Sequence, residues 1–394
     1  MMDASSLRGK VILQIIPALN SGGAERTTVD IAEALVEQGS HALVASDGGR
    51  LVDELERKGG EFIPFPAATK NPLSIWQNAS ALEDLCRKEC VDLIHARSRA
   101  PAWSALIAAR RMNIPFVTTV HGNHKSGSYL KRLYNSVMAR GDAVIANSER
   151  TAQWIADHYP WALSKIVTIP RGTDLRGFSR AAVDQARCDR LRAQWGVPED
   201  ARVILMAARI TPLKGHLVAL EAFAAVLKQQ KESLALVFVG DTKGREAFAG
   251  ELDRKIITMG LKGSVYRVGH CADMPAAYAL SDLVIMPSIE PEGFGRAVVE
   301  AQAMGCLVVA SDRGATPGTI LPLHEVGREA FTGLVVPSGD GPGLAEAMAD
   351  ALSLSDEARR AIAERARHHV EARFSLPVMT GATLGVYRAL FAGR

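Results

Sequence analysis

Short runs rich in Val, Ile and Leu alternate with longer amphipathic stretches along this chain, and few folds accommodate that alternation. Strands that alternate with helices form parallel sheets whose two faces are covered by those helices. The first half contains seven such runs: VILQII, HALVAS, EFIPF, VDLIH, PFVTTV, DAVIAN and KIVTI. A second series starts with VILMAA and continues with LALVFV, VYRVG, DLVIM, CLVVA and GLVV. We therefore predict an α/β fold with two doubly wound, Rossmann-like domains.

The length and one polar segment indicate where the domains divide. The chain has 394 residues, and at roughly 100 to 200 residues per domain this suits two domains. Residues 171–201 contain no strand-like run and several turn formers, so they indicate a linker. We predict domains at 1–180 and 181–374, with a C-terminal helix at 375–394 that packs back on the first domain.

Charge and cysteine content exclude several functional classes. The formal net charge is +3, from 46 basic and 43 acidic side chains, which is too small to indicate a nucleic-acid partner. The five cysteines lack the spacing of zinc ligands, which indicates reduced thiols. The N-terminus lacks a signal-peptide pattern, and no stretch reaches the roughly 18 apolar residues of a membrane span. We therefore expect a soluble, cytoplasmic protein.

Two loops that follow strand-like runs have features of ligand sites. In PALNSGGAER, Gly22 and Gly23 open a helix, where backbone N–H groups attract phosphate or a polar sugar. A mere tight turn explains these glycines equally well. In AARITPLKG, Arg209 and Lys214 lie on a loop that leads into a helix, an arrangement suited to a diphosphate. Ordinary solvated charges remain the alternative for the second loop.

The stretch EPEGFGRAVVEAQAMG places two carboxylates around a helix start. At 1.5 Å rise per residue, Glu292 and Glu300 lie at most ~12 Å apart, about the span of a sugar, a diphosphate and a ribose. Glu292 would then hold a sugar and Glu300 a ribose diol, because carboxylates accept hydrogen bonds from vicinal hydroxyls. The backbone N–H groups of 294–296 would face the phosphates. In the alternative interpretation, both acids are solvated surface charges.

The segment EGFGRAVVE resembles the Glu-x7-Glu signature of family 4 retaining glycosyltransferases, which have the two-domain GT-B fold. The similarity extends along nearly the whole chain in the expected order, through GGAER, VHG, VIANSE, IPRGTD, ARITPLKG and TGLVVPSGD. It implies two Rossmann-like domains that face each other across a cleft.

The resemblance also implies roles for individual residues. Arg209 and Lys214 would bind the diphosphate of a nucleoside-diphosphate sugar, with Glu292 on the donor sugar and His121 against that sugar. These four form the expected catalytic group. The expected sugar-donor-binding set is Gly22, Gly23, Arg209, Lys214, Phe294, Gly295, Arg296 and Glu300. Two positions depart from the family pattern, with Ala208 in place of Gly and Arg171 in place of Asn.

The resemblance implies transfer of a hexosyl unit with retention of configuration. The chain contains no Asp-x-Asp pair, so we expect neither a metal nor another cofactor, with cations and helix starts stabilising the leaving diphosphate. The expected acceptor is a glycan or a lipid-linked glycan of lipopolysaccharide, capsule or exopolysaccharide synthesis. A nucleotide-sugar epimerase of the same fold is the main alternative. A nicotinamide dehydrogenase that reads GFGRAV as its fingerprint and a non-catalytic sugar-nucleotide binding protein are the others.

Positive charge is concentrated between residues 86 and 140. Residues 127–140 can be drawn as a helix whose apolar side is surrounded by basic groups, the apolar residues being Tyr129, Leu130, Leu133, Tyr134, Val137 and Met138. Such a helix would rest on anionic lipid at the cytoplasmic face of the inner membrane. A helix that faces the core with solvated charges explains the same residues, and the sequence leaves both interpretations open.

Overall fold

The computed structural model describes residues 7–20, 22–69, 71–122 and 128–393. The chain divides into two compact units, one formed by Met1–Gly172 with Leu376–Arg394 and the other by Thr173–Ser375. The expected division at residue 180 thus stands eight residues beyond the point where the compact units change over, because the stretch after Gly172 packs with the second unit.

The first unit contains a seven-stranded parallel sheet with strand order β3-β2-β1-β4-β5-β6-β7. Its strands are β1 Val11–Ile15, β2 His41–Ser46, β3 Glu61–Pro64, β4 Leu93–Ala96, β5 Phe116–Val120, β6 Ala143–Ala146 and β7 Ile166–Thr168. The connecting helices are α1 Gly23–Glu37, α2 Val52–Arg57, α3 Pro72–Lys88, α4 Arg99–Met112, α5 Tyr129–Asn135 and α6 Glu149–His158, with short 3-10 helices at Ser136–Ala139 and Pro160–Lys165.

The second unit contains a six-stranded parallel sheet with strand order β10-β9-β8-β11-β12-β13. Its strands are β8 Arg202–Ala207, β9 Leu234–Val239, β10 Val265–Gly269, β11 Leu283–Met286, β12 Val308–Ser311 and β13 Leu334–Val336. Its helices are α7 Gln185–Trp195, α8 His216–Gln229, α9 Glu246–Thr258, α10 Met274–Leu280, α11 Arg296–Ala303, α12 Leu323–Val326, α13 Gly341–Ser353 and α14 Asp356–Phe374, with 3-10 helices at Arg180–Ala182, Pro212–Lys214 and Thr316–Thr319.

The central strands are buried on both faces, which explains why they read as continuous apolar runs. In β8, Ile204 and Met206 belong to the core on one face of the sheet, whereas Val203 and Leu205 belong to the core on the other. Parallel strands covered by helices on both sides need apolar residues at every position. The sequence prediction of two doubly wound Rossmann-like domains is confirmed.

The basic segment after β5 differs from the single amphipathic helix drawn from the sequence. Helix α5 ends at Asn135, and the chain continues as a 3-10 helix in which Val137 and Met138 are buried in the core. Because these two side chains fill the core, they do not belong to an exposed apolar face. Tyr129, Leu130 and Leu133 do remain exposed. Residue 127, at the start of the drawn helix, lies outside the described residues.

The last helix, α15 Leu376–Ala392, packs on the first unit through Met379, Leu384 and Tyr387. The buried Tyr387 hydroxyl lies 2.6 Å from Nδ1 of His95, whose Nε2 lies 2.7 Å from Oγ1 of Thr119. Burial lowers the pKa of His95 well below its ordinary value, so the ring is neutral and uses one nitrogen as donor and one as acceptor. These bonds fasten the end of the chain to β4 and β5.

Replacing Tyr387 by Phe should lower the free energy of unfolding of the first unit by about 1–3 kcal/mol, because it leaves a buried ring nitrogen of His95 without its partner. Urea denaturation would measure the loss. Tyr129→Phe is the matched control, because that side chain is 80% exposed and its hydroxyl remains solvated. Equal stability of the Tyr387 variant and wild type would show that the hydrogen bond does not hold the helix.

Candidate functional site

The loops at the carboxyl ends of β8, β11 and β12 meet at one edge of the second sheet, where open α/β sheets bind their ligands. After β8, the 3-10 turn Pro212–Lys214 leads through Gly215 into α8. After β11, the loop 287–295 leads into α11. These are the two loops in which the sequence analysis placed the cations and the acids.

Backbone contacts hold these two loops together. The carbonyl oxygen of Leu213 accepts from the N–H groups of Ile289 and Glu290, at 2.9 and 3.3 Å. Gly215 has φ +80°, and a Cβ there would lie 1.9 Å from the carbonyl oxygen of Pro287. A side chain is therefore excluded at Gly215, both by the left-handed backbone and by the neighbouring chain.

Lys214 and Glu292 form an ion pair across the two loops. The Lys214 Nζ lies 2.7 Å from Oε1 of Glu292, and the side chains are 23% and 15% exposed. The hydroxyl of Ser288 donates to the same carboxylate oxygen. The sequence analysis gave these residues separate roles, and the structure brings a cation and an anion into direct contact at the strand edge.

The backbone of Glu292 is fixed from the other side by the loop after β12. Ala315 N–H donates to the Glu292 carbonyl oxygen at 2.8 Å. Gly314 has φ +70°, and a Cβ on it would lie 2.2 Å from the Glu292 nitrogen. The Glu292 carboxylate is thus placed by contacts with both neighbouring loops.

Glu300 lies inside α11 and is buried, with a side chain that is 8% exposed. Its Oε1 accepts from Arg296 Nε at 2.6 Å, and its Oε2 accepts from the buried Tyr278 hydroxyl at 3.2 Å. A buried carboxylate requires such partners, because an unpaired charge in the interior is costly. The alternative of a solvated helix charge does not describe this position.

The start of α11 offers backbone groups to a ligand. Gly295 caps the helix with φ +89° and has no side chain to occupy the N–H groups of the first turn. The Phe294 side chain packs in an apolar cluster, with its ring 5.8 Å from that of Phe374. Phe294 therefore has only its backbone available at this edge.

Arg209 lies on the loop that follows β8, and its side chain is exposed. Among the described residues it has no carboxylate within ion-pair distance, which leaves its guanidinium available to an anion. Next to it, Ala208 stands where the family pattern has Gly. The only non-glycine residues with positive φ in the described parts of the chain are Cys90 and Asn113. Ala208 therefore adopts a conformation that suits any residue.

The first unit contains the remaining expected site residues. Gly22 caps α1 in an extended conformation, so neither Gly22 nor Gly23 is required by a positive φ. A Cβ on Gly23 would lie 2.2 Å from Nη1 of Arg171, so this guanidinium packs against the start of α1. His121 directly follows β5, and its carbonyl oxygen accepts from the Asn147 side chain at 3.2 Å. Each residue thus lies just after a strand or at a helix start.

The sequence analysis assigned no individual role to a buried polar group at the carboxyl edge of the first sheet. Arg97 follows β4 and is 2% exposed. Its Nε donates to Gln14 Oε1 at 2.8 Å, and Gln14 Nε2 donates to the Thr28 carbonyl oxygen at 3.0 Å. Ser288 and Tyr278, which contact Glu292 and Glu300, were missed. The position of Ser288 at the end of DLVIMPS was a usable signal, whereas the sequence gave none for Tyr278.

Two further observations concern absent features. Within the described residues, no group of three or more His, Cys, Asp and Glu side chains is arranged to hold a metal ion. None of the helices in that part of the chain is long and apolar enough to cross a membrane.

Two family models match this chain in succession. The model described as Glycosyltransferase Family 4 matches residues 21–176, and the model described as Glycosyl transferases group 1 matches residues 188–369. A D-inositol 3-phosphate glycosyltransferase of Jonesia denitrificans is 27% identical over 332 residues, which cover 75% of this chain and 76% of that protein.

Solved structures are similar over almost the whole length. A glycosyltransferase of Rickettsia africae is 34% identical, with a TM-score of 0.89 over 98% of this chain and all of that one. HepE of Anabaena, solved in complex with UDP-glucose, is 25% identical, with a TM-score of 0.76 over 97% of this chain and 99% of that one.

His216, two residues after Lys214, is a core residue at the start of α8. It is fully buried, its ring contacts those of Phe238 and Phe248, and its Nδ1 lies 3.3 Å from the Thr211 carbonyl oxygen. Burial lowers the pKa of His216 to about 4. The folded state therefore resists protonation of this ring.

Acidification should destabilise the wild type more than a His216→Leu variant. Below pH about 6.5 the unfolded chain binds a proton that folded His216 refuses until about pH 4, so stability falls across that window, by about 3 kcal/mol in total. Denaturant titrations at a series of pH values would show the smaller fall in the variant. Phe248→Leu alters the same cluster without removing a titrating group and should keep the wild-type slope. Identical slopes for the wild type and the His216 variant would contradict this assignment.

Proposed function

Because this chain belongs to the two-domain glycosyltransferases, with a family 4 first part and a group 1 second part, we propose that it transfers a hexosyl unit from a nucleoside-diphosphate sugar without a metal and with retention of configuration. The observation that carries this proposal is the Lys214–Glu292 pair at the carboxyl edge of the second sheet, with Arg209 exposed on the same loop as Lys214.

The leaving nucleoside diphosphate gains negative charge as the bond to the sugar breaks, and the site must stabilise that charge. Lys214 and Arg209 supply two cations, and the start of α11 supplies backbone N–H groups. The ion pair with Glu292 keeps Lys214 oriented and partly neutralised. A bound diphosphate would share Lys214 with Glu292, which leaves the carboxylate to accept hydrogen bonds from sugar hydroxyls.

Glu300 suits the ribose of the donor. It is already fixed by Arg296 and Tyr278, so its two oxygens have a defined orientation before any ligand arrives. A vicinal diol donates two hydrogen bonds, and a carboxylate with remaining lone pairs can accept them. Arg296, whose side chain is 43% exposed, is the member of this group that also reaches solvent.

The proposed chemistry uses no covalent enzyme intermediate. The bond between the anomeric carbon and the diphosphate oxygen breaks, the acceptor oxygen bonds to the same carbon from the same face, and a diphosphate oxygen takes the acceptor proton. Glu292 and His121 would position the sugar and stabilise positive charge that develops on it. His121, Gly22 and Gly23 are the contributions proposed for the first unit.

Relatives support a choice of donor base. HepE of Anabaena, which is 25% identical, was solved with UDP-glucose. We propose a UDP-hexose as the donor on this ground. Screening UDP- and GDP-sugars by thermal stabilisation would identify it, because a ligand at 100 times its Kd adds about 2.7 kcal/mol to the stability of the folded state.

For the acceptor, we propose a glycan or lipid-linked glycan of the cell envelope, reached at the cytoplasmic face of a membrane. Tyr129, Leu130 and Leu133 of α5 are 80%, 74% and 44% exposed, and Lys131 and Arg132 lie between them. Exposed aromatic and aliphatic side chains among basic groups suit an anionic lipid surface. A second candidate acceptor is an inositol phosphate, favoured by the name of the Jonesia denitrificans relative.

Lys214→Ala should slow cleavage of the donor about 10²- to 10³-fold, because it removes one preorganised cation from the leaving diphosphate. Hydrolysis of the best-stabilising UDP-hexose, followed by UDP release, breaks the same bond and needs no acceptor. Lys255→Ala, which removes an exposed cation from α9, is the matched control.

The assay is run in excess EDTA, where wild-type activity should persist because side chains and helix N–H groups supply the positive charge. Near-normal activity of the Lys214 variant would refute the assignment of this site. Activity that EDTA abolishes and Mg²⁺ or Mn²⁺ restores would refute the metal-free mechanism.

Vesicles of phosphatidylcholine with an equal share of phosphatidylglycerol should sediment the wild-type protein at low salt, and a Tyr129→Ser/Leu130→Ser variant should remain in the supernatant. Ile257→Ser removes an apolar side chain that is 64% exposed on the second unit, and it should bind like wild type. Failure of the wild type to sediment would remove the membrane part of the proposal and leave the transferase reaction untouched.

A further inference from the structure

A cavity of about 660 Å³ lies at the amino-terminal edge of β11 and β12, on the opposite edge of the second sheet from the candidate functional site. Its walls come from α7, α10, α14 and the segments that precede the two strands. The volume falls within the range of about 300–1,000 Å³ that is usual for small-molecule sites.

Four arginines line this cavity: Arg180, Arg192, Arg359 and Arg367. In the described part of the chain, none of the four has a carboxylate within ion-pair distance. Two acids also lie in the lining, Asp282 and Glu364, so the arginines leave an excess of two positive charges.

Two of the arginines form part of the cavity wall and are held in place by hydrogen bonds to backbone carbonyl oxygens. Arg359 donates to the carbonyl oxygens of Asp282, Ala351, Leu352 and Leu354 at 2.7 to 3.2 Å. Arg192 donates to the carbonyl oxygens of residues 198, 199 and 201. Their charge remains in the wall. Arg359 already uses Nε, Nη1 and Nη2, whereas all three bonds of Arg192 come from Nη1.

The other two arginines retain hydrogen-bonding capacity. Arg180 donates from Nη1 to the Ala279 carbonyl oxygen, and Arg367 donates from Nη2 to Oγ of Ser179, the neighbour of Arg180. A guanidinium has five N–H donors, so each side chain keeps several for a ligand. Both side chains are exposed and line the same cavity, and the Arg367–Ser179 bond anchors Arg367 to the segment that contains Arg180.

The remaining groups in the wall do not cancel this charge. The Asp282 carboxylate accepts from Val203 N–H at 2.7 Å and faces Arg202 at 3.6 Å, so it is compensated from outside the cavity. Cys188 and Cys306 also line the cavity. Burial raises the pKa of Cys306 to about 11 and raises the pKa of Cys188, so both thiols are neutral at physiological pH.

We propose that this cavity binds a small phosphate-bearing anion, with Arg180 and Arg367 as its paired ligands. Paired guanidinium groups bind phosphate oxygens bidentately, which suits one phosphate or diphosphate group between them. The volume fits a metabolite-sized molecule such as a sugar phosphate or a nucleotide. The site is independent of the transferase site and does not rest on the proposed reaction.

One residue connects the cavity with the candidate functional site. Tyr278 lines the cavity, and its hydroxyl donates to Glu300, which belongs to the candidate functional site on α11. A ligand in the cavity would therefore lie against the residue that orients Glu300.

Calorimetric titration with inorganic pyrophosphate tests the proposal in a full-length Arg209→Gln/Lys214→Gln protein, which lacks the cations of the functional site. We expect binding to persist in this background. Adding Arg180→Gln and Arg367→Gln should weaken it roughly tenfold or more, because charge-assisted hydrogen bonds to two guanidinium groups are lost. Adding Arg360→Gln instead, an exposed arginine on the same helix as Arg367, should leave the affinity unchanged.

A second measurement tests the proposal even if the Arg180 and Arg367 variants fail to fold, because it uses the wild-type protein. In the wild-type protein, pyrophosphate should protect Arg180 and Arg367 from phenylglyoxal, as read by mass spectrometry, and leave Arg360 reactive. Absence of pyrophosphate binding in the Arg209→Gln/Lys214→Gln background, equal affinity with and without Arg180 and Arg367, or equal labelling of all three arginines would each overturn the proposal.

Discussion

The candidate functional site depends on two hydrogen bonds that join the loops after β8 and β11. The Leu213 carbonyl oxygen accepts both of them, from the N–H groups of Ile289 and Glu290. They fix the turn that contains Lys214 against the loop that contains Glu292. The close approach of Gly215 to Pro287 reinforces the same junction. A lysine and a glutamate that are 78 residues apart in sequence consequently face each other at 2.7 Å. Preorganisation of this kind reduces the reorganisation that charge stabilisation would otherwise require during reaction.

Ionisable groups of the second unit lie in three different environments, and each environment suits a different role. Lys214 and Glu292 are partly exposed, so a ligand can reach them. Glu300 is buried, and each of its oxygens accepts a hydrogen bond from a neighbouring side chain, which makes it a rigid acceptor. His216 is buried against aromatic rings and neutral, so it serves the core although it stands two residues from Lys214. Proximity to the site in sequence is therefore a poor guide to a role in it.

The second sheet offers positive charge at both of its edges. At the carboxyl edge, Arg209 and Lys214 accompany helix starts and acids that suit a sugar nucleotide. At the amino edge, four arginines outnumber the two acids that line the cavity, and carbonyl oxygens anchor some of the guanidinium groups. In the first unit, the C-terminal helix α15 packs against the first sheet, and its Tyr387 hydroxyl lies within hydrogen-bond distance of His95. The last part of the chain is thus a structural component of the first unit.

The sequence alone determined the two parallel sheets, because strands buried on both faces must be apolar at every position and therefore stand out as continuous runs. It also located the cations and acids of the candidate site, since ligands of such sheets lie just after strands. It drew residues 127–140 as one helix and left open whether the apolar residues face lipid or the core, because helical spacing does not reveal which apolar residues the core needs. In the structure, α5 ends at Asn135, and Val137 and Met138 lie in the core. The contacts of Ser288, Tyr278 and Arg97, and the cavity that collects arginines from three separate segments, were decided only by the tertiary structure. Such contacts join residues distant in sequence, and periodicity along the chain contains no information about which side chains packing brings together.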